Sequence, residues 1–533
     1  MAQENQYYSN KIEEKSHDFL RHLSYSIRDY EGRLPNLRDI FRPEAVEWLL
    51  AQSAIESDYN FEDFDHESNT IIDFVINTGY KDEPNVDQDG KLLLRRTTPI
   101  HHASRINENC IIRDLFKIYD RCDVNYTDEN GLTHFHVACK YGCDEIVEKF
   151  LDLGQVDPNL LVPETGDSPL HFALKKNRNE TVVESLLRRG AAPNLANKDG
   201  KTPIHIICEY TYDEVTANVL LGCSDDKQKI LDAGDKLGNT PLHMAMYDMD
   251  ECFMEFLLRQ GANPNATNDE GSTPLHTVCK RRLEFVDILE IFFKIAKEVD
   301  RMVEVDAKDK LGRTPLQWAV AYFLPDVVDA LFDGGADLSN FVFPTESYIV
   351  DGFEWSGVDF HDIVFKLSAA PQAMEVVERL QRRGYELRRN DALAIMKFFD
   401  KWRLFESADI DEFWYENEEF AAKAKKILML SGRSLYYAIR LGPKQAARIL
   451  TYSDYMDLWN LKAMYQLPQG LRDICAKHLS EKVSREFFRR WALDPLLKLT
   501  NYRLPILCCD KIMDQLINED LFNVCLAATD QSL

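Results

Sequence analysis

The chain has 533 residues, too many for a single hydrophobic core, and its length suggests three or four domains. Its 89 acidic against 63 basic side chains leave a formal charge of −26, which repels phosphate backbones and excludes nucleic-acid binding by the whole surface. No apolar run reaches the roughly 18 residues of a membrane span, and Met1–Lys15 lacks the apolar stretch of a secretory signal, so a soluble protein without membrane partners, in the cytoplasm or nucleus, is expected.

Residues 1–65 read as a polar opening followed by helices, with Pro43 suited to a first helical turn ahead of Val46, Trp48, Leu49 and Leu50. Residues 66–97 read as a degenerate unit: an apolar helix (Ile71, Ile72, Phe74, Val75, Ile76), then Gly79, then the turn Val86-Asp87-Gln88-Asp89-Gly90. From there one four-residue signature recurs: Thr98-Pro99-Ile100-His101, Thr133-His134-Phe135-His136, Ser168-Pro169-Leu170-His171, Thr202-Pro203-Ile204-His205, Thr240-Pro241-Leu242-His243, Thr273-Pro274-Leu275-His276 and Thr314-Pro315-Leu316-Gln317. The steps between starts are 35, 35, 34, 38, 33 and 41 residues.

Within each unit the threonine suits a helix cap, and the proline suits the first turn, where its missing N–H loses nothing. A second helix carries apolar pairs at helical spacing, such as Val182-Val183 with Leu186-Leu187, and ends at glycine, as in Gly190-Ala191-Ala192-Pro193-Asn194. A polar turn follows, as in Asn197-Lys198-Asp199-Gly200 or Asn268-Asp269-Glu270-Gly271. No such unit can bury its face alone, so the units must stack.

A period near 33 residues with a Thr-Pro-Leu-His start resembles the ankyrin repeat. The implied fold class is all-α: an ankyrin-repeat solenoid of helix-turn-helix units with short β-turn fingers over residues 66–340, about seven clear units plus the degenerate first, followed by a C-terminal helical domain. The long steps place extra residues near 209–232 and 283–305, where they either shape partner choice or reflect neutral loop drift. The partner surface of such an array is its turn tips and inner helices, and Lys198, Asp199, Lys236, Asp269, Glu270, Lys308 and Asp309 are the tip candidates.

Several constellations imitate chemistry. His136, Cys139 and Cys143 share a helical face, but His136 is the ordinary signature histidine and no second cluster completes a zinc set, so no metal is expected. The signature histidines read as buried hydrogen-bond partners tying neighbouring units together. Cys139, Cys208 and Cys279 fall six residues after their unit's threonine, an inward slot for a small apolar side chain, which favours reduced thiols over a disulfide framework. No phosphate-cradling glycine loop or serine elbow occurs, so neither an enzyme nor a cofactor is expected.

Beyond Gly334-Gly335-Ala336-Asp337 the rhythm stops, and residues 341–430 read as a helical connecting region. Leu404–Phe420 carries seven acidic and no basic residues, whereas Ala421–Arg503 carries 16 Lys and Arg against 6 Asp and Glu, so the basic stretch either is a solvated face or meets an acidic surface. In the last stretch, Leu504-Pro505 opens a helix with Leu507, Ile512, Met513, Leu516 and Ile517, followed by Glu519-Asp520-Leu521. Cys508 and Cys509 lie in this apolar stretch, where inert packing is expected.

A Leu-Pro start, apolar residues at helical spacing and then Asp-Leu resemble the opening of an F-box. Repeats followed by such an end resemble the poxvirus-type and insect ankyrin proteins with a PRANC domain, which would occupy residues 431–533. The resemblance implies a substrate adaptor: the array holds a target protein while Leu504, Pro505, Ile512, Leu516, Asp520 and Leu521 contact the Skp adaptor of a cullin ubiquitin ligase. A full F-box is longer, since only 29 residues follow Leu504, and the same stripe would also serve as a closing cap of its domain. The alternative role is occupancy alone, as in ankyrin inhibitors that retain a transcription factor.

Overall fold

The computed structural model describes residues 19–20, 22–28, 32–56, 70–106, 109–176, 179–281, 287–349, 363–405, 414–429, 431–460 and 462–530. The chain packs as two compact units, residues 1–245 with 252–263 and residues 246–251 with 264–533. Among the described residues the extended pairings are isolated bridges, such as Thr127 with Thr133, and no helix is long and apolar enough to cross a membrane.

The first unit is built from helix pairs: α1 (Pro43–Glu56) with α2 (Thr70–Asn77), α3 (Pro99–Ile106) with α4 (Asn109–Ile118), α5 (His134–Lys140) with α6 (Asp144–Asp152), α7 (Pro169–Leu174) with α8 (Glu180–Arg188), and α9 (Pro203–Tyr210) with α10 (Glu214–Gly222). Inner helices stack on inner helices, α1 on α3, α3 on α5, α5 on α7 and α7 on α9, and outer on outer, α6 on α8 and α8 on α10. The starts follow the capping chemistry of the sequence: Ser168 Oγ accepts the His171 N–H at 3.4 Å and Thr133 Oγ1 accepts the His136 N–H at 3.3 Å. Leu170, Ala173 and Leu174 of α7 and Val182, Val183 and Leu186 of α8 are all buried, so the apolar stripe of each helix faces the stack. Helix α8 ends where Gly190 turns left-handed (φ +93°) and the Ala191 N–H reaches back to the Leu186 carbonyl at 2.9 Å. The 38-residue step adds a short helix, α11 (Lys227–Leu231), which tucks Ile230 and Leu231 into the core.

The chain continues through α12 (Pro241–Asp248) and α13 (Glu251–Gln260), where the two units divide. In the second unit α14 (Pro274–Lys280) and α15 (Asp287–Glu298) precede α16 (Pro315–Ala321) and α17 (Pro325–Asp333), with α14 packed on α16 and α15 on α17. The 41-residue step lengthens the outer helix: α15 has 12 residues where α6, α8 and α10 have nine.

After the repeats come α18 (Ile363–Arg382), α19 (Arg389–Lys401), α20 (Glu418–Ala424), α21 (Leu435–Arg440), α22 (Pro443–Ile449), α23 (Tyr452–Asn460), α24 (Gln469–Leu499), α25 (Ile506–Gln515) and α26 (Asn518–Asp530). The 31-residue α24 is the hub on which α18, α22, α25 and α26 pack. Phe488 on α24 meets Phe399 at 5.3 Å and Phe405 at 5.6 Å between ring centroids. Lys482, itself buried, caps α21 by donating to the Ala438 carbonyl at 3.2 Å and to that of Ile439, and His478 Nε2 also donates to Ile439, at 3.0 Å. Four of the seven acidic residues of the strip, those within 406–413, lie outside the described residues.

Candidate protein-binding surface

The fingers at Asn197, Asp235, Asn268 and Asp309 are the same five-residue turn, whereas the one at residues 162–167 closes with the Val162 N–H on the Asp167 carbonyl. In Asn197-Lys198-Asp199-Gly200-Lys201, the Asn197 N–H donates to the Lys201 carbonyl at 2.9 Å, and Asn197 Oδ1 accepts from the amides of Asp199 and Lys201, both at 3.0 Å. Asp235, Asn268 and Asp309 hold their turns in the same way. Successive fingers are chained through the backbone. The Lys236 N–H donates to the Asp199 carbonyl at 2.8 Å in the first unit, and Lys310 N–H to Glu270 carbonyl at 2.9 Å in the second. The contact leaves no room for a side chain at Gly200, where an added Cβ would lie 2.4 Å from the Lys236 nitrogen on a backbone with φ +74°.

This scaffold presents Lys198, Asp199, Lys236, Asp269, Glu270 and Lys308 to solvent, while Glu270 also pairs with Lys280 at 2.6 Å. Asp309, expected at a tip, is instead 7% exposed. Its Oδ1 holds the turn and its Oδ2 accepts from the Trp318 indole at 3.0 Å, so it orders the finger rather than presenting it.

Behind the fingers runs a ladder of buried imidazoles. The amides of Thr98, Thr133, Ser168, Thr202, Thr240 and Thr273 donate to Nδ1 of His101, His136, His171, His205, His243 and His276 at 3.0–3.3 Å. An amide can only donate, so each ring is the neutral tautomer with its proton on Nε2. That proton goes to the neighbouring unit: His136 to the Leu160 carbonyl at 2.9 Å, His101 to Leu132, His171 to Lys201, His205 to Asn239 and His276 to Arg313, each at 3.0 Å. Burial lowers the pKa of these rings, to about 4 for His101 and His136. Gln317 shows what the position requires, because its amide does both jobs: Oε1 accepts from Thr314 N–H and Nε2 donates to the Val342 carbonyl, both at 2.9 Å. His134, in the proline position of its signature, is fully buried against Phe116, Tyr119 and Tyr126 and bonds Thr98 Oγ1 at 2.7 Å. Cys139, Cys208 and Cys279 are wholly buried, and burial drives the Cys139 and Cys279 thiols up, so they are packing groups.

The inner-helix ends carry a feature the tip analysis missed. Lys176 Nζ sits 4.2 Å and Lys140 Nζ 5.1 Å from the Tyr141 ring centroid, while Lys175 lies over Phe172 at 5.1 Å and Tyr210 at 5.9 Å. Lys140 makes no ion pair among the described residues; burial and its neighbours Lys176 and Lys175 bring its pKa down to about 8. A sequence signal for this row exists: lysine or arginine four and five residues after the signature histidine, as in Lys140, Lys175-Lys176 and Lys280-Arg281.

At the C-terminus α25 and α26 each pack on α24, and a buried network ties the turn between them to it. Arg485 donates to Glu481 and to Asn518 Oδ1 at 3.1 Å, to the Met513 carbonyl at 2.6 Å and to that of Leu516, and the Asn518 N–H donates to Glu481 at 2.8 Å. Pro505 is the exposed N-cap residue of α25, and Leu504 and Leu516 are half-buried. Asp520 is exposed and caps α26 by accepting the Ile517 N–H at 3.1 Å, whereas Leu521 is wholly buried and belongs to the core. The exposed apolar side chains of α25 are Ile506 (58% exposed), Leu507 (77%) and Ile512 (39%). Cys509 packs inward, but Cys508, expected to pack too, is exposed, because adjacent helix positions point about 100° apart.

A family model for "Ankyrin repeats (3 copies)" matches residues 42–161, 100–194, 170–253 and 247–341, together more than half of the chain. The chain is 27% identical over 215 residues to human Transient receptor potential cation channel subfamily A member 1, covering 40% of this chain and 18% of the channel. It is 28% identical over 255 residues to the Inhibitor of Apoptosis OPG037 of Monkeypox virus, covering 41% of this chain and 53% of the viral protein. Among solved structures, the ankyrin repeat domain of Bcl-3 is similar at 23% identity and a TM-score of 0.36, over 42% of this chain and 100% of that one. The chain thus spans about half or less of the length of these curated relatives.

Proposed function

We propose that this chain, which belongs to the ankyrin-repeat family, holds a target protein on its repeats and offers its C-terminal helices to the Skp adaptor of a cullin ubiquitin ligase. Ankyrin repeats bind protein targets, and here the chained fingers and the histidine ladder hold such a surface in shape before binding, which lowers the ordering cost. The observation behind the second half of the reading is the set of exposed apolar side chains on α25. Ile506, Leu507 and Ile512 expose apolar side chains on a helix whose end Arg485 fixes through the Met513 carbonyl, in a buried network with Glu481 and Asn518. The protein would contribute no reacting group of its own; it would raise the effective concentration of target lysines near a charged ubiquitin carrier. Eleven of the twelve cysteines are free thiols, which fits a reducing compartment, the cytoplasm or nucleus.

The test is capture of Skp and cullin from lysate by the full chain and by Leu507→Asp. Leu507 is exposed enough that the substitution should leave the fold intact and abolish capture. Equal capture by both proteins would refute the docking face. A second reading, occupancy without ligase recruitment, draws on the monkeypox relative's name, an inhibitor of apoptosis. It predicts that Leu507→Asp leaves target abundance unchanged in cells.

A further inference from the structure

Two arginines at the inner-helix ends of the second unit lack the partners their neighbours have. The Arg313 guanidinium lies 3.8 Å from the Tyr348 ring centroid and 5.0 Å from that of Trp318, and Arg281 lies 4.7 Å from that of Tyr247. Among the described residues neither guanidinium makes an ion pair or a hydrogen bond, and Arg281 Nη1 is out of contact with solvent. Their surroundings are otherwise committed: Trp318 is fixed by Asp309 at 3.0 Å, and Lys280, 4.8 Å over the Trp318 ring, is held by Glu270 at 2.6 Å and Ser272 Oγ at 2.9 Å. Lys280 and Arg281 are adjacent at the end of α14, so the two stacked arginines flank one helix terminus.

Arg96, Arg379 and Arg485 pair with carboxylates of this chain, which carries 26 more acidic than basic groups, whereas Arg281 and Arg313 do not. Stacking fixes the plane of each guanidinium, so little rotamer freedom remains to be lost on binding; with Arg281 Nη1 enclosed, the donors left are its other nitrogens and the edge of Arg313. That edge is a planar fork matched to a carboxylate. The excess acid elsewhere repels a long polyanion, but acts weakly on a few charges beyond the Debye length of about 8 Å.

From this geometry we infer that Arg281 and Arg313 are the anion-receiving groups of a docking site for a short acidic segment, carrying two or more carboxylates, of a partner protein. The inference rests on the reading that the repeats bind a protein, and it names the chemistry of that partner. An apolar side chain of the segment would lie on the exposed Tyr247 ring beside the charged contacts.

The experiment is fluorescence anisotropy of the full chain with three short fluorescein-labelled peptides: alternating aspartate and leucine, the same with asparagine for aspartate, and the same with phosphoserine. The aspartate peptide should bind at low salt and the asparagine peptide at least tenfold more weakly. Arg313→Gln and Arg281→Gln should each weaken the aspartate peptide about tenfold. Arg313→Lys, which keeps charge and stacking but loses the fork, should weaken it nearly as much, whereas Lys294→Glu on the exposed face of α15 should not. Thermal melts of each variant separate lost binding from lost fold. The assignment is overturned by equal binding of the aspartate and asparagine peptides, by tighter binding of the phosphoserine peptide, by unchanged binding to folded Arg313→Gln and Arg281→Gln, or by no binding to wild type. Binding of the asparagine peptide without acid preference would leave the repeats a protein-binding surface while removing this site, and Skp capture is scored separately.

Discussion

His136 allows the ladder to be tested quantitatively through pH. Its Nδ1 accepts from the Thr133 amide and its Nε2–H binds the Leu160 carbonyl, so the buried ring can take a proton only by breaking the first bond and carrying charge out of water. Its pKa falls from the ordinary 6.5 to about 4, with burial the main cause. Between those values the unfolded chain binds more protons than the folded one, so stability rises with pH in that window and is lost as the pH falls through it. At pH 5 this one ring costs about 2 kcal/mol relative to pH 7.5, rising toward about 3 below pH 4.

His136→Gln should remove that penalty, because Gln317 makes the equivalent pair of bonds elsewhere in the chain. Urea unfolding followed by circular dichroism at pH 7.5, 6.5, 5.5 and 5 is the assay. The variant should lie within about 1 kcal/mol of wild type at pH 7.5, the usual cost of a volume-conserving core change. It should lose about 2 kcal/mol less than wild type on going to pH 5. A variant that declines in parallel with wild type would refute the neutral-ring ladder.

Other outcomes follow from the packing. Gly200→Ala meets both a positive φ and the Lys236 backbone, whereas Gly190→Ala meets only the positive φ, with open space around the new carbon. Thermal unfolding should show a loss of about 1 kcal/mol for Gly190→Ala and a distinctly larger one for Gly200→Ala. Arg485→Met strips a buried ion pair of its cation and leaves Glu481 charged, so a loss of about 3–5 kcal/mol is expected, with hydrogen exchange rising first at Leu516–Asn518. Leu507→Asp should shift the unfolding midpoint little, within about 0.5 kcal/mol, since the side chain is already in water.

The repeats were readable because each position of the signature answers one local requirement. Threonine or serine accepts the histidine amide, proline fills a turn whose N–H has no partner, and the finger's Asn or Asp closes its own turn; all are short-range rules that survive in sequence. The buried Asp309 was not readable, because its second oxygen is claimed by Trp318 nine residues on. Leu521 fell to the same difficulty: helical spacing marks an apolar stripe but not which side another helix covers, and here α24 decides. The basic and aromatic row at the inner-helix ends went unread because it arises from stacking between units, where Lys176 meets Tyr141 across 35 residues. The long α24, with its buried Lys482 and Arg485, follows no repeat, and a basic run alone does not say which cations turn inward.

The most direct test of the account titrates purified Skp adaptor into the purified full chain by calorimetry. The account predicts saturable one-to-one binding that Leu507→Asp abolishes and Arg313→Gln leaves unchanged. A folded full chain that gives no binding heat would contradict ligase docking and leave a repeat scaffold that acts by occupying its target.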